Sequence, residues 1–277
     1  MNPEQEFMKL LDLLARVVEA NIGTLTGTDD RFIGAENLAN KFFDHAASIL
    51  YLSRGIKLEL PSFPNAPPKF LDPASINVLV RAALETFLTF HYIFVKPTTH
   101  GEQSCRYWAW KAAGLIERQG LPQYTEKHRQ KLAEEKTEID YLHSKLRSNS
   151  AFKRLDKKQQ KDILKGKWKL PHWSEIAESA SFDKTWFSHE YKYLSGYTHS
   201  GSLSTIQLKQ SVINREQLIL VEPATALITI VIANFIRGYC QLFPIAKAAL
   251  TADAEGRKMV KGLIKFGKEL CFEDNNL

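Results

Sequence analysis

The sequence has few of the features that mark secreted, metal-binding or disulfide-stabilised proteins. Its three cysteines lie far apart and form no Cys-x-x-Cys pair, so neither a disulfide framework nor a zinc knuckle is expected. The first six residues are acidic and lack the basic and apolar regions of a signal peptide. Export is therefore not expected, and the predicted location is cytoplasmic.

Long apolar runs are also scarce. The most apolar stretch, residues 226–236, is too short to span a membrane and contains Asn234, so a buried core helix is the preferred interpretation. No membrane association is expected. The sequence also contains no internal repeat, no glycine-rich phosphate loop and no alternation of strand and helix patterns.

Metal-ligand spacing is absent among the eight histidines, which form no His-x-x-x-His pair and no His-Glu-x-x-His motif. No metal site and no cofactor are predicted. The Gly-x-Ser-x-Gly motif of many hydrolases is missing as well.

What the sequence does contain is helical periodicity along most of its length. Asp72 followed by Pro73 is a helix start signal, and the helix that it opens is predicted to run to about Phe94. The other predicted helices cover residues 4–21, 36–53, 102–119, 123–147, 157–165, 174–180, 183–199, 223–242 and 253–271. The predicted fold class is all-α, a multi-helix bundle of about eight to ten helices.

Two points of organisation stay open. Residues 202–222 contain short apolar runs that fit either a small hairpin near 210–221 or a packed loop. The 277 residues are expected to form a single helical domain, 1–277, with residues 73–245 as the core that carries the site. The helical pair over 1–55 is either part of the bundle or a separable cap.

Positive charge is concentrated in one segment. Residues 127–169 contain fourteen Lys and Arg against six Asp and Glu, although the whole chain has a net charge of only +6. Such a segment could attract a polyanion such as RNA or DNA. A solvated helix face that keeps the protein soluble is the alternative.

A first polar stripe interrupts the apolar helix predicted from Pro73. Asn77, Arg81, Glu85 and Thr89 are each four residues apart, so they lie on one strip of the helix. If that strip is buried, leaving Arg81 or Glu85 unpaired would cost roughly 3–5 kcal/mol, so a partner group or a water-lined cavity must face it. The alternative to a functional site is a buried ion pair that only sets helix register.

A second polar stripe is formed by Tyr191, Ser195 and His199, which are also four residues apart. His199 falls in the last helical turn, where the helix dipole favours a protonated imidazole and suits it to acid–base chemistry or phosphate contact. Gly196 inside the helix indicates close approach of a backbone or a ligand. The alternative is that His199 only hydrogen-bonds the helix end.

The Arg-x-x-x-Glu and Tyr-x-x-x-Ser-x-x-x-His motifs resemble those of a poorly characterised family of bacterial all-helical proteins, loosely related to the HEPN and abortive-infection groups. The resemblance covers roughly residues 35–245. It implies a helical bundle, often a homodimer, that acts as a metal-independent ribonuclease in toxin or antiviral defence systems. HEPN proteins place the Arg and the His on one helix, whereas here Arg81 and His199 belong to different helices.

The resemblance implies a composite catalytic site of His199, Arg81 and Glu85. His199 would act as acid or base on a ribose 2′-hydroxyl, Arg81 would stabilise charge at phosphorus, and the basic 127–169 segment would attract RNA. Two alternatives remain: a non-catalytic binder of a nucleotide, nucleic acid or other anion, and an interaction protein with a buried polar network and a defence-system partner. The expected substrate-binding residues are Tyr191, Ser195, Tyr197, Ser200 and Asn77.

Overall fold

The computed structural model describes residues 2–23, 29–57, 61–62, 69–214 and 216–273. Within these ranges the chain is all-α, as predicted, but it has thirteen helices rather than eight to ten. An isolated antiparallel β-bridge joins Ile56 and Phe70. The helices are α1 (Pro3–Glu19), α2 (Asp30–Ser53), α3 (Pro73–Phe90), α4 (His100–Gln119), α5 (Glu126–Ser148), α6 (Ser150–Lys153), α7 (Lys157–Leu164), α8 (Trp173–Ser179), α9 (Lys184–Thr198), α10 (Ser202–Asn214), α11 (Gln217–Leu242), α12 (Pro244–Ala252) and α13 (Ala254–Glu273).

The chain divides into two compact units. The first contains the residues up to His91 and those from Trp173 onward, and the second is the insertion Tyr92–His172. The first unit therefore includes α1 to α3 and α8 to α13, while α4 to α7 form the second. No linker composition in the sequence marks this division.

Helix α3 lies at the centre of the first unit. It begins as predicted, because the Asp72 side chain accepts a hydrogen bond from the Ser75 amide at 3.0 Å and Pro73 occupies the first turn. It packs against α2, α9 and α11. Phe42, Phe90 and Phe235 stack there with ring centroids 4.3 and 4.6 Å apart, and all three side chains are fully buried. This aromatic packing joins α3 to α2 and α11.

The prediction of a hairpin or a loop for residues 202–222 is wrong. The described part of this segment is helical, and α11 begins at Gln217, six residues before the predicted start, with Pro223 inside it. In α10 the small polar side chains of Ser204 and Ser211 are buried, whereas Leu203, Ile206 and Val212 are exposed. Because the apolar residues face outward, the usual amphipathic signal is missing.

Two helical segments, Pro73–Val95 and Gln217–Leu242, are long and apolar enough to cross a membrane by length and composition. Most of their apolar windows, 67% and 72%, are buried inside the protein. Core helices meet the same criterion, so this observation is weak support for a membrane location.

The second unit has a small core of its own. Helices α5, α6 and α7 each pack against α4. Leu146, Phe152 and Ile163 are buried there beside Cys105 and Ala109. This packing leaves the opposite sides of α5 to α7 in solvent.

Candidate functional site

The two predicted polar stripes meet in the first unit, where α3 packs against α9. Arg81 and Glu85 lie one turn apart on α3, and Arg81 Nε donates to Glu85 Oε1 at 3.2 Å. The Arg81 side chain is 16% exposed and the Glu85 side chain is 33% exposed. The pair is thus neither sealed in the core nor fully solvated, so it is screened less than a surface pair.

Tyr191 connects this ion pair to α9. Its hydroxyl donates to Glu85 Oε1 at 2.5 Å and accepts a hydrogen bond from Arg81 Nη2 at 3.0 Å. The Arg81 guanidinium lies over the Tyr191 ring, 4.9 Å from its centroid, and the buried Phe187 ring stacks on Tyr191 with the centroids 5.7 Å apart. Arg81 is therefore fixed by a carboxylate, a phenol and an aromatic face at the same time.

His199 is placed by the way α9 ends. It is the C-cap residue, and Ser200 after it adopts a left-handed conformation with φ of 52°. The Gly201 amide donates to the Gly196 carbonyl at 2.8 Å and the Ser200 amide to the Tyr197 carbonyl at 3.4 Å, which together form a Schellman motif. This ending projects an exposed His199 beside Arg81.

The imidazole lies within reach of the guanidinium, with Arg81 Nη1 and His199 Nε2 separated by 3.4 Å. Arginine can only donate hydrogen bonds, so in a hydrogen bond between the two side chains Nε2 is the acceptor and the imidazole proton is on Nδ1. Protonation of His199 would replace this contact with two adjacent cations. An anion that bridges the two side chains would relieve that repulsion.

The surroundings shift the pKa values of two of these groups, Arg81 and Tyr191. Burial alone would lower the pKa of Arg81, but the hydrogen bond and charge of Tyr191 and of Glu85 outweigh it and raise the pKa above its usual value. The pKa of Tyr191 is also raised, mainly because the side chain is partly buried and secondly because its hydroxyl donates to Glu85. Both groups therefore keep their protons across the physiological range.

The remaining predicted residues are placed differently. Ser195 is half-buried on the same face of α9 and donates to the Tyr191 carbonyl at 2.6 Å, while Ser200 is exposed next to His199. Asn77 is fully buried and donates to the Pro73 and Leu220 carbonyls at 2.8 and 3.3 Å. Tyr197 is buried, and its hydroxyl contacts Tyr193 and Gln207. The structure does not bring Asn77 or Tyr197 to Arg81.

Sequence reasoning did not single out Tyr193. Its hydroxyl lies 3.1 Å from the Tyr197 hydroxyl, which in turn donates to Gln207 of α10 at 3.4 Å. The available signal was the spacing of four residues between the two tyrosines on α9. The hydrogen bond from Tyr197 to Gln207 connects α9 to α10.

No group of three or more His, Cys, Asp or Glu side chains that could hold a metal ion is found in the described ranges. The groups that converge at the site are a guanidinium, a phenol, a carboxylate and an imidazole. Such a set suits contact with an anionic oxygen and transfer of a proton.

The family comparison covers the same helices. A family model matches residues 70–211, just over half of the chain, and this range contains both Arg81 and His199. The chain belongs to DUF5677, a family of unknown function. Neither a curated protein nor a solved structure matches the chain. In this DUF5677 protein the matched range therefore includes every side chain that converges at the site.

Gly196 offers a first test of the space beside the site. An added Cβ at this position would meet no atom within 4 Å, so the close backbone approach expected from the sequence is absent on that side. We expect Gly196→Ala to stabilise the protein by about 1 kcal/mol in urea unfolding, because alanine is the better helix former. Destabilisation would show that the open space is not present in solution.

Tyr191 offers a second test, through pH. We expect Tyr191→Phe to destabilise the protein near neutral pH by about 1 kcal/mol, since hydrogen bonds to two charged groups are lost in a half-exposed setting. Because the pKa of Tyr191 is raised in the folded protein, its hydroxyl stabilises the protein fully at pH values below the ordinary tyrosine pKa of about 10. This stabilisation is lost as the pH rises through the higher pKa of the folded state. The difference between wild type and variant should therefore shrink in alkaline solution.

The control for this test is Tyr51→Phe, which alters a tyrosine that is 70% exposed in the same unit. Urea unfolding of the three proteins at neutral pH and above about pH 10 gives the comparison. An equal loss of stability for Tyr191→Phe at every pH would contradict the assigned role of its hydroxyl.

Proposed function

We propose that this protein is a metal-independent ribonuclease whose composite site consists of His199, Arg81 and Glu85. The observation that carries the proposal is the approach of the exposed His199 imidazole to within 3.4 Å of an arginine that Glu85 and Tyr191 hold in place. The resemblance to HEPN and abortive-infection proteins supports the choice of RNA as the substrate. It also favours a toxin-like effector of a bacterial defence system.

The proposed reaction uses the 2′-hydroxyl of the RNA itself. Neutral His199 takes the 2′-hydroxyl proton on Nε2 while the 2′-oxygen bonds to phosphorus, and the bond from phosphorus to the 5′-oxygen breaks. Arg81 donates to the non-bridging oxygens as negative charge develops on them. The leaving 5′-oxygen takes a proton from solvent. The products are a 2′,3′-cyclic phosphate and a 5′-hydroxyl end.

Glu85 and Tyr191 act as positioning residues in this scheme. Arg81 binds Glu85 through Nε and Tyr191 through Nη2, so Nη1 is the nitrogen that points to His199. When a phosphate arrives, transfer of Nη1 from His199 to the phosphate frees the Nε2 lone pair. The same movement would bind the substrate and activate the base.

The test is cleavage of a labelled heteropolymeric RNA by the purified protein in excess EDTA. The proposal requires fragments with 5′-hydroxyl ends and no cleavage of DNA of the same sequence, because DNA lacks the nucleophile. Intact RNA after prolonged incubation would contradict it, and so would fragments with 5′-phosphate ends.

Binding of an anion without turnover is the second candidate. It is favoured by the fact that Arg81 already has a carboxylate and a phenol partner, so the arrangement is stable without further chemistry. A nucleotide that raises the melting temperature of the wild type but not of Arg81→Ala, without being converted, would favour this candidate. Cleavage of RNA by the same preparation would exclude it as the complete description.

A further inference from the structure

The second unit has a strongly basic surface on the side of α5, α6 and α7 that faces away from α4. Leu146, Phe152 and Ile163 fix the orientation of these three helices, because each is buried in the core beneath them. The charged side chains between these apolar positions must then point to solvent. From residue 147 to residue 165, seven cations are exposed: Arg147, Lys153, Arg154, Lys157, Lys158, Lys161 and Lys165. We call these seven residues the basic face.

None of the seven lies within 4.0 Å of a carboxylate oxygen in the part of the chain that the structure describes. Only two acidic residues occur between Arg147 and Lys165, and both have other partners. Asp156 caps α7 by accepting from the Gln159 amide at 2.8 Å, and Asp162 pairs with Lys167 at 3.4 Å. The positive charge of the basic face is therefore not neutralised locally.

The first half of α5 shows a different arrangement. Arg129 pairs with Glu126 at 2.5 Å, and Lys131 pairs with Glu134 at 3.7 Å. The basic segment recognised in the sequence thus contains two kinds of surface. Its first part includes ion pairs along the helix surface, whereas the seven cations of the basic face have no carboxylate partner among the described residues.

An exposed aromatic side chain lies on α5 six residues before Arg147. Tyr141 is 57% exposed, and Lys145 Nζ lies 4.7 Å from its ring centroid and 5.2 Å from that of Trp108. An exposed ring with a cation over it, on the helix that also carries Arg147, can contribute to binding of single-stranded nucleic acid through base stacking and phosphate contact.

We propose that the basic face, together with Tyr141, is a binding surface for single-stranded RNA. The choice of RNA over other polyanions rests on the proposed function. A membrane surface is disfavoured, because no large apolar side chain is exposed between Arg147 and Lys165 and nothing there could insert into a bilayer. Lys157 and Lys161 on α7 and Lys165 directly after it recur about every 6 Å, so several phosphates of one strand could be contacted.

The experiment measures fluorescence anisotropy of a labelled single-stranded RNA with the His199→Ala protein, so that binding is observed without cleavage. Salt is varied between about 50 and 200 mM. The test variant adds Lys157→Gln, Lys158→Gln and Lys161→Gln. The control variant instead adds Lys9→Gln, Lys131→Gln and Lys265→Gln, which remove the same charge from lysines that are ion-paired at 2.9, 3.7 and 3.4 Å.

We expect the test variant to bind at least tenfold more weakly at low salt, with a slope of log affinity against log salt reduced by about two units, since each single-strand phosphate contact contributes about 0.7. The control should stay within about twofold of the parent. Tyr141→Ala should weaken binding about fivefold or more, because base stacking is lost.

Equal weakening in both triple variants, or binding that does not respond to salt, would overturn the proposal. Competition by polyglutamate or by anionic vesicles as effective as that by RNA would overturn the choice of partner. These outcomes are separate from the test of cleavage. A wild type that fails to cleave RNA contradicts the ribonuclease function, while a selective loss of binding in the test variant still supports the basic face.

Discussion

Replacing His199 by alanine is expected to lower RNA cleavage by about 10²–10⁴-fold, because the exposed imidazole is the general base of the proposed reaction. The free energy of unfolding should change by less than about 0.5 kcal/mol, since the side chain is at the surface and its contact with Arg81 is long at 3.4 Å. Single-turnover cleavage rates and urea unfolding measure the two effects independently.

The matched control is His189→Ala, which removes an exposed histidine from the same helix α9. Its cleavage rate should equal that of the wild type. If the two variants retain the same rate, His199 is not the base. If His199→Ala instead unfolds at a much lower urea concentration, the histidine has a structural role that the geometry at the end of α9 does not indicate.

The second large effect is expected at Arg81. Arg81→Lys keeps the positive charge, but a single ammonium cannot reach Glu85, Tyr191 and His199 together, as the three guanidinium nitrogens do. We expect cleavage to fall by about 10²–10³-fold, the usual cost of losing a donor to the transition-state charge. Stability should fall by about 1–2 kcal/mol, because a part-buried Glu85 loses a fixed partner.

Arg54→Lys provides the control for this change. Arg54 pairs with Glu4 at 2.8 Å, and both side chains are well exposed, so neither cleavage nor stability should change measurably. An active Arg81→Lys protein would show that the charge alone is sufficient, which contradicts the fixed orientation of the guanidinium as the source of activity. A variant with lower stability but full activity would make the network purely structural.

Much of the site could be predicted from the sequence because its members follow helical spacing. Four polar residues at intervals of four in an apolar helix define a strip, and the same holds for Tyr191, Ser195 and His199. Asp72 and Pro73 define the start of α3 equally well. Residue spacing does not show which helix each polar strip faces. The contact of Arg81 with Tyr191 and His199 depends on the packing of α3 against α9, more than a hundred residues apart in the chain.

The parts that could not be predicted have specific physical causes. Helix α10 buries Ser204 and Ser211 and exposes Leu203 and Ile206, so its pattern is the reverse of an ordinary surface helix. Asn77 shares the spacing of Arg81 but is fully buried, because two backbone carbonyls accept from its amide. Sequence spacing alone does not distinguish a polar side chain whose amide donates to carbonyls inside the core from one that faces a site.

The measurement that tests the central claim most directly is cleavage of two RNAs that differ only by a 2′-deoxy sugar at the cleaved position. The reaction is run in excess EDTA with wild type and with His199→Ala. The composite site predicts that the wild type cleaves the unmodified RNA to a 2′,3′-cyclic phosphate and a 5′-hydroxyl. The single deoxy sugar should stop cleavage there, and the loss of His199 should slow it by about 10²–10⁴-fold. Cleavage of the deoxy-substituted RNA at the same position, or an unchanged rate without His199, would contradict the account.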